Sequence, residues 1–229
     1  MKSMLLTGFV AVLVCFYGCT SDSSSSGSTG ESSSDTTPVP APTVEAVSGE
    51  LTNWTCVPGK QVGAITANFT EEDLIKTFGD KQVQRYEAGE GESDETYTAT
   101  IVNPGTKNQL IIRWAKDQPF KKIGSIRIEN DSTDWRTAEG ISIGTTLADL
   151  VRINGRDFAF NGFYEAGEAG MTTTWQGGAI NPGLVLYLQP DNPEAIYEGA
   201  GLSKEASYSS ANALAKKAGI RVSGLLIKF

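Results

Sequence analysis

Two similar segments decide how this 229-residue chain folds: ITANFTEEDLIKTFG at residues 65–79 and ISIGTTLADLVRING at residues 141–155. They lie 76 residues apart, and at this offset five of their positions are identical and three are conservative substitutions. The same offset, without gaps, aligns Ile112 with Leu188 in a later part of the chain. Because one register relates both helix-like and strand-like stretches, we predict an internal duplication.

Each segment predicts a short helix with defined ends. A threonine lies where its hydroxyl can accept a backbone N–H bond, and an aspartate three residues later suits the positive helix start. A glycine follows the last turn, where a left-handed residue often ends a helix. We therefore interpret the two aspartates as helix-start residues and not as a catalytic pair. These residues are Thr70, Asp73 and Gly79 in the first copy, and Thr146, Asp149 and Gly155 in the second.

Alternating apolar residues after each segment predict β-strands. We expect strands at 82–86, 97–102, 109–114 and 123–128, then at 158–161, 171–175, 184–189 and 221–229. The predicted fold class is α+β, a tandem repeat of a helix packed on a roughly four-stranded antiparallel sheet. The first repeat would span 51–134 and the second 135–229, with an extra Ala-rich helix near 205–218.

The segment Ile-x-Ile-Gly-Thr-Thr-x-x-Asp-Leu, which begins at Ile141, carries a resemblance to a known group. It resembles the repeat of the β-lactamase-inhibitor-like fold and of the small outer-membrane lipoproteins of the SmpA/OmlA type, over roughly residues 60–189. The group's motif glycine is Asn68 in the first copy, and Lys81 and Asp157 stand where the group has a closing proline. The overall pattern also resembles uncharacterised envelope lipoproteins of Bacteroidetes-type bacteria. The resemblance implies a fold with tandem copies and lipidation, and it does not carry over inhibition of any enzyme.

The N-terminus reads as an export signal. Residues 1–18 contain Lys2 and then an apolar run that is too short to cross a bilayer, which needs about 20 apolar residues. Gly18 and Cys19 resemble the lipobox of bacterial lipoproteins, although Phe16 replaces its usual aliphatic residue. We therefore expect cleavage before Cys19, acylation of this cysteine and attachment to the membrane through the lipid.

A polar segment follows the predicted lipidation site. From Thr20 to Thr43, 14 of 24 residues are Ser or Thr, and no aromatic residue is present. Such a composition cannot bury enough apolar surface to offset its conformational entropy, so we predict a disordered tether over 19–50. Under the proteobacterial sorting rule, a lipoprotein without an aspartate directly after its lipidated cysteine goes to the outer membrane. Because Thr20 follows Cys19, the expected location is the cell envelope, at the outer membrane.

Composition excludes several kinds of chemistry. The chain has no histidine, which removes Ser-His-Asp and Cys-His mechanisms and most transition-metal sites. Cys56 would be the only ordinary cysteine of the mature chain, and we expect an inert thiol there. A formal charge of −8 argues against nucleic acid as a partner. We predict no catalytic site, cofactor or metal site, and leave open whether the acidic stretches 87–95 and 129–134 bind calcium.

Aromatic residues are the remaining candidates for binding. Phe163 and Tyr164 lie in a glycine-bounded loop that favours exposure, and we name them with Trp175 as candidate binding residues. The predicted function is that of a non-enzymatic envelope lipoprotein, anchored through Cys19, whose domain contacts a protein partner in assembly, in an accessory role or as an inhibitor. The alternative is a small-ligand or glycan-binding module on the same tether. An unusual hydrolase is a third hypothesis, which the lack of histidine disfavours.

Overall fold

The computed structural model describes residues 53–89, 96–164, 167–198 and 201–229, without the side chains of 87–89, 96 and 97. The predicted signal peptide and the whole predicted tether, with Cys19, therefore lie outside the described residues, and so do residues 90–95 of the acidic stretch 87–95.

Strands dominate the described part of the chain. The helices are α1 (Glu71–Phe78), α2 (Leu147–Asn154) and α3 (Ala213–Lys217), with short 3-10 helices at Asp80–Gln82 and Pro193–Tyr197. The strands are β1 (Thr55–Val57), β2 (Gln61–Val62), β3 (Ile65–Thr66), β4 (Val83–Gly89), β5 (Thr96–Val102), β6 (Leu110–Trp114), β7 (Ile123–Ile128), β8 (Arg136–Thr137), β9 (Ala159–Asn161), β10 (Thr172–Thr174), β11 (Leu184–Pro190), β12 (Ser207–Ser209) and β13 (Ile220–Lys228). The predicted α+β class is confirmed.

The ends of α1 and α2 follow the predicted capping chemistry. The Thr70 hydroxyl accepts from the Asp73 backbone N–H, and the Asp73 carboxylate accepts from the Thr70 N–H in return, which completes a capping box. At the start of α2, Thr146 accepts from the Asp149 N–H. Gly155 ends α2 with a left-handed backbone, at φ 75° and ψ 0°. These contacts confirm the interpretation of both aspartates as helix-start residues.

One six-stranded antiparallel sheet organises the core, in the order β11-β13-β7-β6-β5-β4. Strands β7 and β13 are neighbours in this sheet, and Ile126 lies opposite Ile227. This pair joins residues from both predicted repeats within a single sheet. One face of the sheet contacts the core residues of the helices, since Leu74 of α1 and Leu150 of α2 belong to the same buried cluster as Ile126 and Ile227.

Two smaller sheets complete the fold, in the orders β3-β2-β1-β8 and β10-β9-β12. In the first, β1 and β8 pair in parallel. The four strands of this sheet have only two or three residues each, and they were not predicted from the sequence. The second is linked to the large sheet, because the Leu186 N–H donates to the Thr172 hydroxyl and Met171 bridges to Tyr187.

The predicted helix over 205–218 is wrong in its first half. Residues 207–209 form β12, which pairs with β9, and the Tyr208 ring packs against Phe160 at 6.3 Å between centroids. The helix α3 starts only after Asn212, whose side chain accepts from the Leu214 N–H. An unpaired edge of β9 and an aromatic contact therefore override the helix propensity of the alanine-rich stretch.

Two details of α1 concern its burial and its C-terminal cap. Ile75 is 36% exposed although it is apolar, because a helix of eight residues buries only a narrow line of side chains and Leu74 occupies it. Gly79 has a positive φ of 90°, but its ψ of 148° is not left-handed helical, since a 3-10 turn begins directly after it.

Candidate interaction surfaces

The second face of the six-stranded sheet is not covered by any described helix, and we call it the open sheet face. Cross-strand pairing puts one row of side chains on it: Gln84, Ile101, Ile111, Arg127, Leu226 and Val185, from edge to edge. Ile101, Ile111 and Leu226 are only half-buried. Alternation along a strand sends neighbouring residues to opposite faces, so the buried Ile112 and Ile126 point to the core.

A second row on the open sheet face is more polar. It consists of Tyr86, Ala99, Arg113, Ser125 and Lys228, paired in that order across the strands. Tyr86 is 49% exposed, and Arg113 and Lys228 are also exposed. Exposed apolar groups beside tyrosine and arginine are the composition that protein interfaces favour.

Arg127 lies at the centre of this face. Its guanidinium group is 4.3 Å from the centroid of the Tyr187 ring, and it also forms an ion pair with Glu129. Its Nε atom is buried and has no hydrogen-bond partner among the described residues. Stacking on the ring holds the guanidinium flat on the sheet, where its remaining donors can reach a partner.

Phe163 and Tyr164, named from the sequence, are both half-buried. Phe163 packs against the core, with its ring 6.1 Å from that of Phe160. Together with Tyr197, which is 68% exposed, the two residues line an open cleft of about 500 Å³. Burial, with smaller contributions from Glu205 and Glu168, raises the pKa of the Tyr164 hydroxyl. The sequence did not single out Tyr197, because Phe163 and Tyr164, which line the same cleft, lie more than 30 residues earlier in the chain.

Trp175 contributes mainly to packing. It is 5% exposed, its indole N–H donates to the Leu184 carbonyl at 2.9 Å, and its ring lies 4.9 Å from Phe158. Its edge borders a separate pocket of about 200 Å³ between β10 and β11. The structure therefore separates Trp175 from Phe163 and Tyr164, with which it was grouped.

The Cys56 thiol and the acidic stretch 129–134, both considered from the sequence, have structural roles. Cys56 is fully buried, and burial raises the pKa of its thiol to about 12, so this thiol is protonated at neutral pH. In the acidic stretch 129–134, hydrogen bonds from Asn108 and Lys107 lower the pKa of the Asp134 carboxyl. Among the described residues, no group of three or more histidine, cysteine, aspartate or glutamate side chains could hold a metal ion.

Within the described residues, no helix is both long enough and apolar enough to span a membrane.

No protein-family model matches the chain, and no curated protein matches its sequence. Among solved structures, the chain is similar to the crystal structure of the uncharacterized protein yfeY from Escherichia coli. The two chains share 16% identity with a TM-score of 0.45, over 74% of this chain and 97% of that chain.

Proposed function

We propose that this chain is a cell-envelope lipoprotein, anchored through an acylated Cys19, whose folded domain binds another protein with the open sheet face. It acts by binding and not by catalysis. The observation that carries the proposal is a sheet face without a described helix on it, bearing half-buried isoleucine and leucine beside Tyr86, Arg113 and Arg127.

Anchoring is supported by the order of segments in the sequence. A short apolar run precedes Gly18 and Cys19, and a stretch rich in Ser, Thr and Pro separates this cysteine from β1. A chain of some 30 residues between lipid and domain gives the open sheet face room to meet a partner. The expected location is the outer membrane.

A finer proposal concerns the origin of the fold. The bounds of α2 lie 76 residues after those of α1 at both ends, and a threonine caps the start of each helix. After each helix the chain forms strands that lead to the adjacent strands β7 and β13. Both observations support a tandem duplication, in which one unit supplies β4 to β7 and the other supplies β9, β10, β11 and β13. They also fit the suspected relation to β-lactamase-inhibitor-like and SmpA/OmlA-type repeats.

Acylation is tested by labelling a bacterial host with a clickable fatty acid. We expect the wild-type chain to be labelled and Cys19→Ala to be unlabelled. Cys56→Ala is the matched control and should be labelled like the wild type, because its thiol is buried. Equal labelling of the wild type and Cys19→Ala would refute the anchor.

The interaction surface is tested by placing a photo-crosslinking residue at Leu226, and separately at Lys76 on the exposed side of α1. We expect a discrete adduct from Leu226 that disappears when Arg127→Glu is added, and no such adduct from Lys76. Adducts from Lys76 and none from Leu226 would assign the interaction to another surface.

The alternative, a small-ligand or glycan-binding module, rests on the cleft lined by Phe163, Tyr164 and Tyr197. Aromatic rings at an open cleft offer faces on which a sugar ring can stack. A thermal-shift series with oligosaccharides, compared between the wild type and Tyr197→Ala, tests it. Stabilisation that is lost in the variant would favour this function over the protein interface.

A further inference from the structure

A cavity of about 370 Å³ lies between α2 and α3, on the helix side of the sheet. It is separate from the open sheet face and from the aromatic cleft. Pockets for small organic ligands have volumes of roughly 300–1,000 Å³, so this cavity is large enough for a small molecule.

The walls of the cavity are apolar. Leu147 and Val151 of α2 form one side, and Ala215 and Ile220 form the other. Leu147, Ala215 and Ile220 are buried and belong to the hydrophobic core, so these walls are held by packing. An occupant must therefore present an apolar body.

One end of the cavity carries an arginine. Thr146 and the first residues of α2 line it together with Arg221, which pairs with Asp191. At this helix start, Thr146 satisfies the N–H groups of Asp149 and Leu150, whereas those of Leu147 and Ala148 have no acceptor among the described residues. The Asp149 carboxylate already lies in this first turn, so the cations that border the cavity, and not the helix start, are the groups that can meet an anion of the occupant.

The α3 wall adds a second cation. Lys216 lines the cavity, is exposed, and has no ion pair among the described side chains. Its ammonium group can therefore turn to an anionic group of the occupant.

The other end of the cavity is negative. Asp157 follows the C-terminus of α2, and its carboxylate is fixed by a 3.0 Å hydrogen bond from the Ser210 hydroxyl. Ser210 is itself fully buried and accepts from the Phe158 N–H at 3.0 Å. Asp157 thus offers a positioned carboxylate, which has no ion pair among the described side chains.

Size limits the occupant further. The α2 residues that line the cavity run from Leu147 to Val151, a rise of about 6 Å at 1.5 Å per residue. An extended dipeptide spans about 7 Å, so only a short peptide fits alongside this part of α2. We propose that this cavity binds short apolar peptides with free termini, with the carboxylate near Arg221 and Lys216, the amino group near Asp157, and apolar side chains between the helices.

The test is calorimetric titration of the purified full chain with the dipeptide Leu-Leu, its N-acetyl form and its C-terminal amide. We expect 1:1 binding of Leu-Leu and a loss of about threefold or more for each blocked form, as for a partly exposed ion pair. Ala148→Phe, at an exposed position on the cavity wall, should abolish binding, whereas the exposed Ala64→Phe on the β2–β3 turn should not change it.

Two further variants separate recognition from a general loss of structure. Asp157→Asn keeps an acceptor for Ser210, and should weaken Leu-Leu but leave the N-acetyl form unchanged. Lys216→Met should weaken Leu-Leu but leave the amide unchanged. No heat of binding with Leu-Leu at millimolar concentration, equal affinity of the blocked forms, or binding that survives Ala148→Phe would each overturn the proposal.

Discussion

Asn154, the last residue of α2, should contribute more to stability than any exposed asparagine. It is 1% exposed, and its side chain makes three hydrogen bonds. The amide Nδ2 donates to the carbonyls of Arg156 and Trp175, both at 3.0 Å, and Oδ1 accepts from the Ile180 N–H at 3.2 Å. It thereby joins the end of α2 to the turn between β10 and β11.

Replacing Asn154 with alanine leaves three backbone groups without this partner. An unsatisfied buried polar group costs roughly 1–3 kcal/mol, so three would cost roughly 3–9 kcal/mol without relaxation. Because Gln176, Gly177 and Ala179 in this turn are exposed, water can reach part of the site and the low end applies. We expect Asn154→Ala to lower the free energy of unfolding by about 3 kcal/mol.

The assay is urea unfolding followed by tryptophan fluorescence, with the slope of the transition compared between proteins. Asn130→Ala is the matched control, because Asn130 is exposed and its side chain accepts one hydrogen bond, from the Ser132 N–H. The control should lose less than about 1 kcal/mol. An equal, small loss for Asn154→Ala would show that the three hydrogen bonds do not hold the turn.

Asn154→Asp gives an independent check through pH. A buried carboxylate facing two carbonyl oxygens is disfavoured, so the pKa of the introduced carboxyl should rise above its ordinary value. A group with a raised folded-state pKa costs stability as pH rises from the unfolded-state pKa through the folded-state pKa. The deficit relative to the wild type should therefore be larger at pH 7 than at pH 4, and a pH-independent deficit would contradict the assigned hydrogen bonds.

Three further predictions concern single residues. Gly155→Val and Gly79→Val should each lose about 1 kcal/mol or more in urea unfolding because both have positive φ, whereas Gly167→Val, in open space without positive φ, should lose less. Cys56 should not react with a thiol reagent at pH 8 in the native state and should react fully in urea, since its thiol pKa is about 12; rapid native labelling would contradict its burial. Hydrogen bonds from Thr146 and then Arg152 lower the pKa of Asp149, so its contribution to stability is present above its ordinary value of 3.8 and is lost as pH falls through the lowered pKa. The difference in urea midpoint between the wild type and Asp149→Asn should accordingly shrink from pH 7 to pH 2, and a constant difference would refute this role.

Local chemistry was readable from the sequence wherever a few neighbouring residues decide the structure. The capping threonines, the aspartates after them and Gly155 act within one turn of backbone, so spacing alone located α1 and α2. Alternation located β7 at its observed bounds, and most other strands to within a few residues, because one buried face requires an apolar residue at every second position.

Long-range pairing was decided only by the tertiary structure. Nothing near Ser207–Ser209 indicates a strand, since β12 forms only because the edge of β9, about 50 residues earlier, offers hydrogen bonds. The candidate sites were hidden for the same reason. Alternation shows that a sheet has two faces, but which face the helices cover depends on contacts between distant segments. The cavity between α2 and α3 likewise exists only because residues 60 or more positions apart pack side by side.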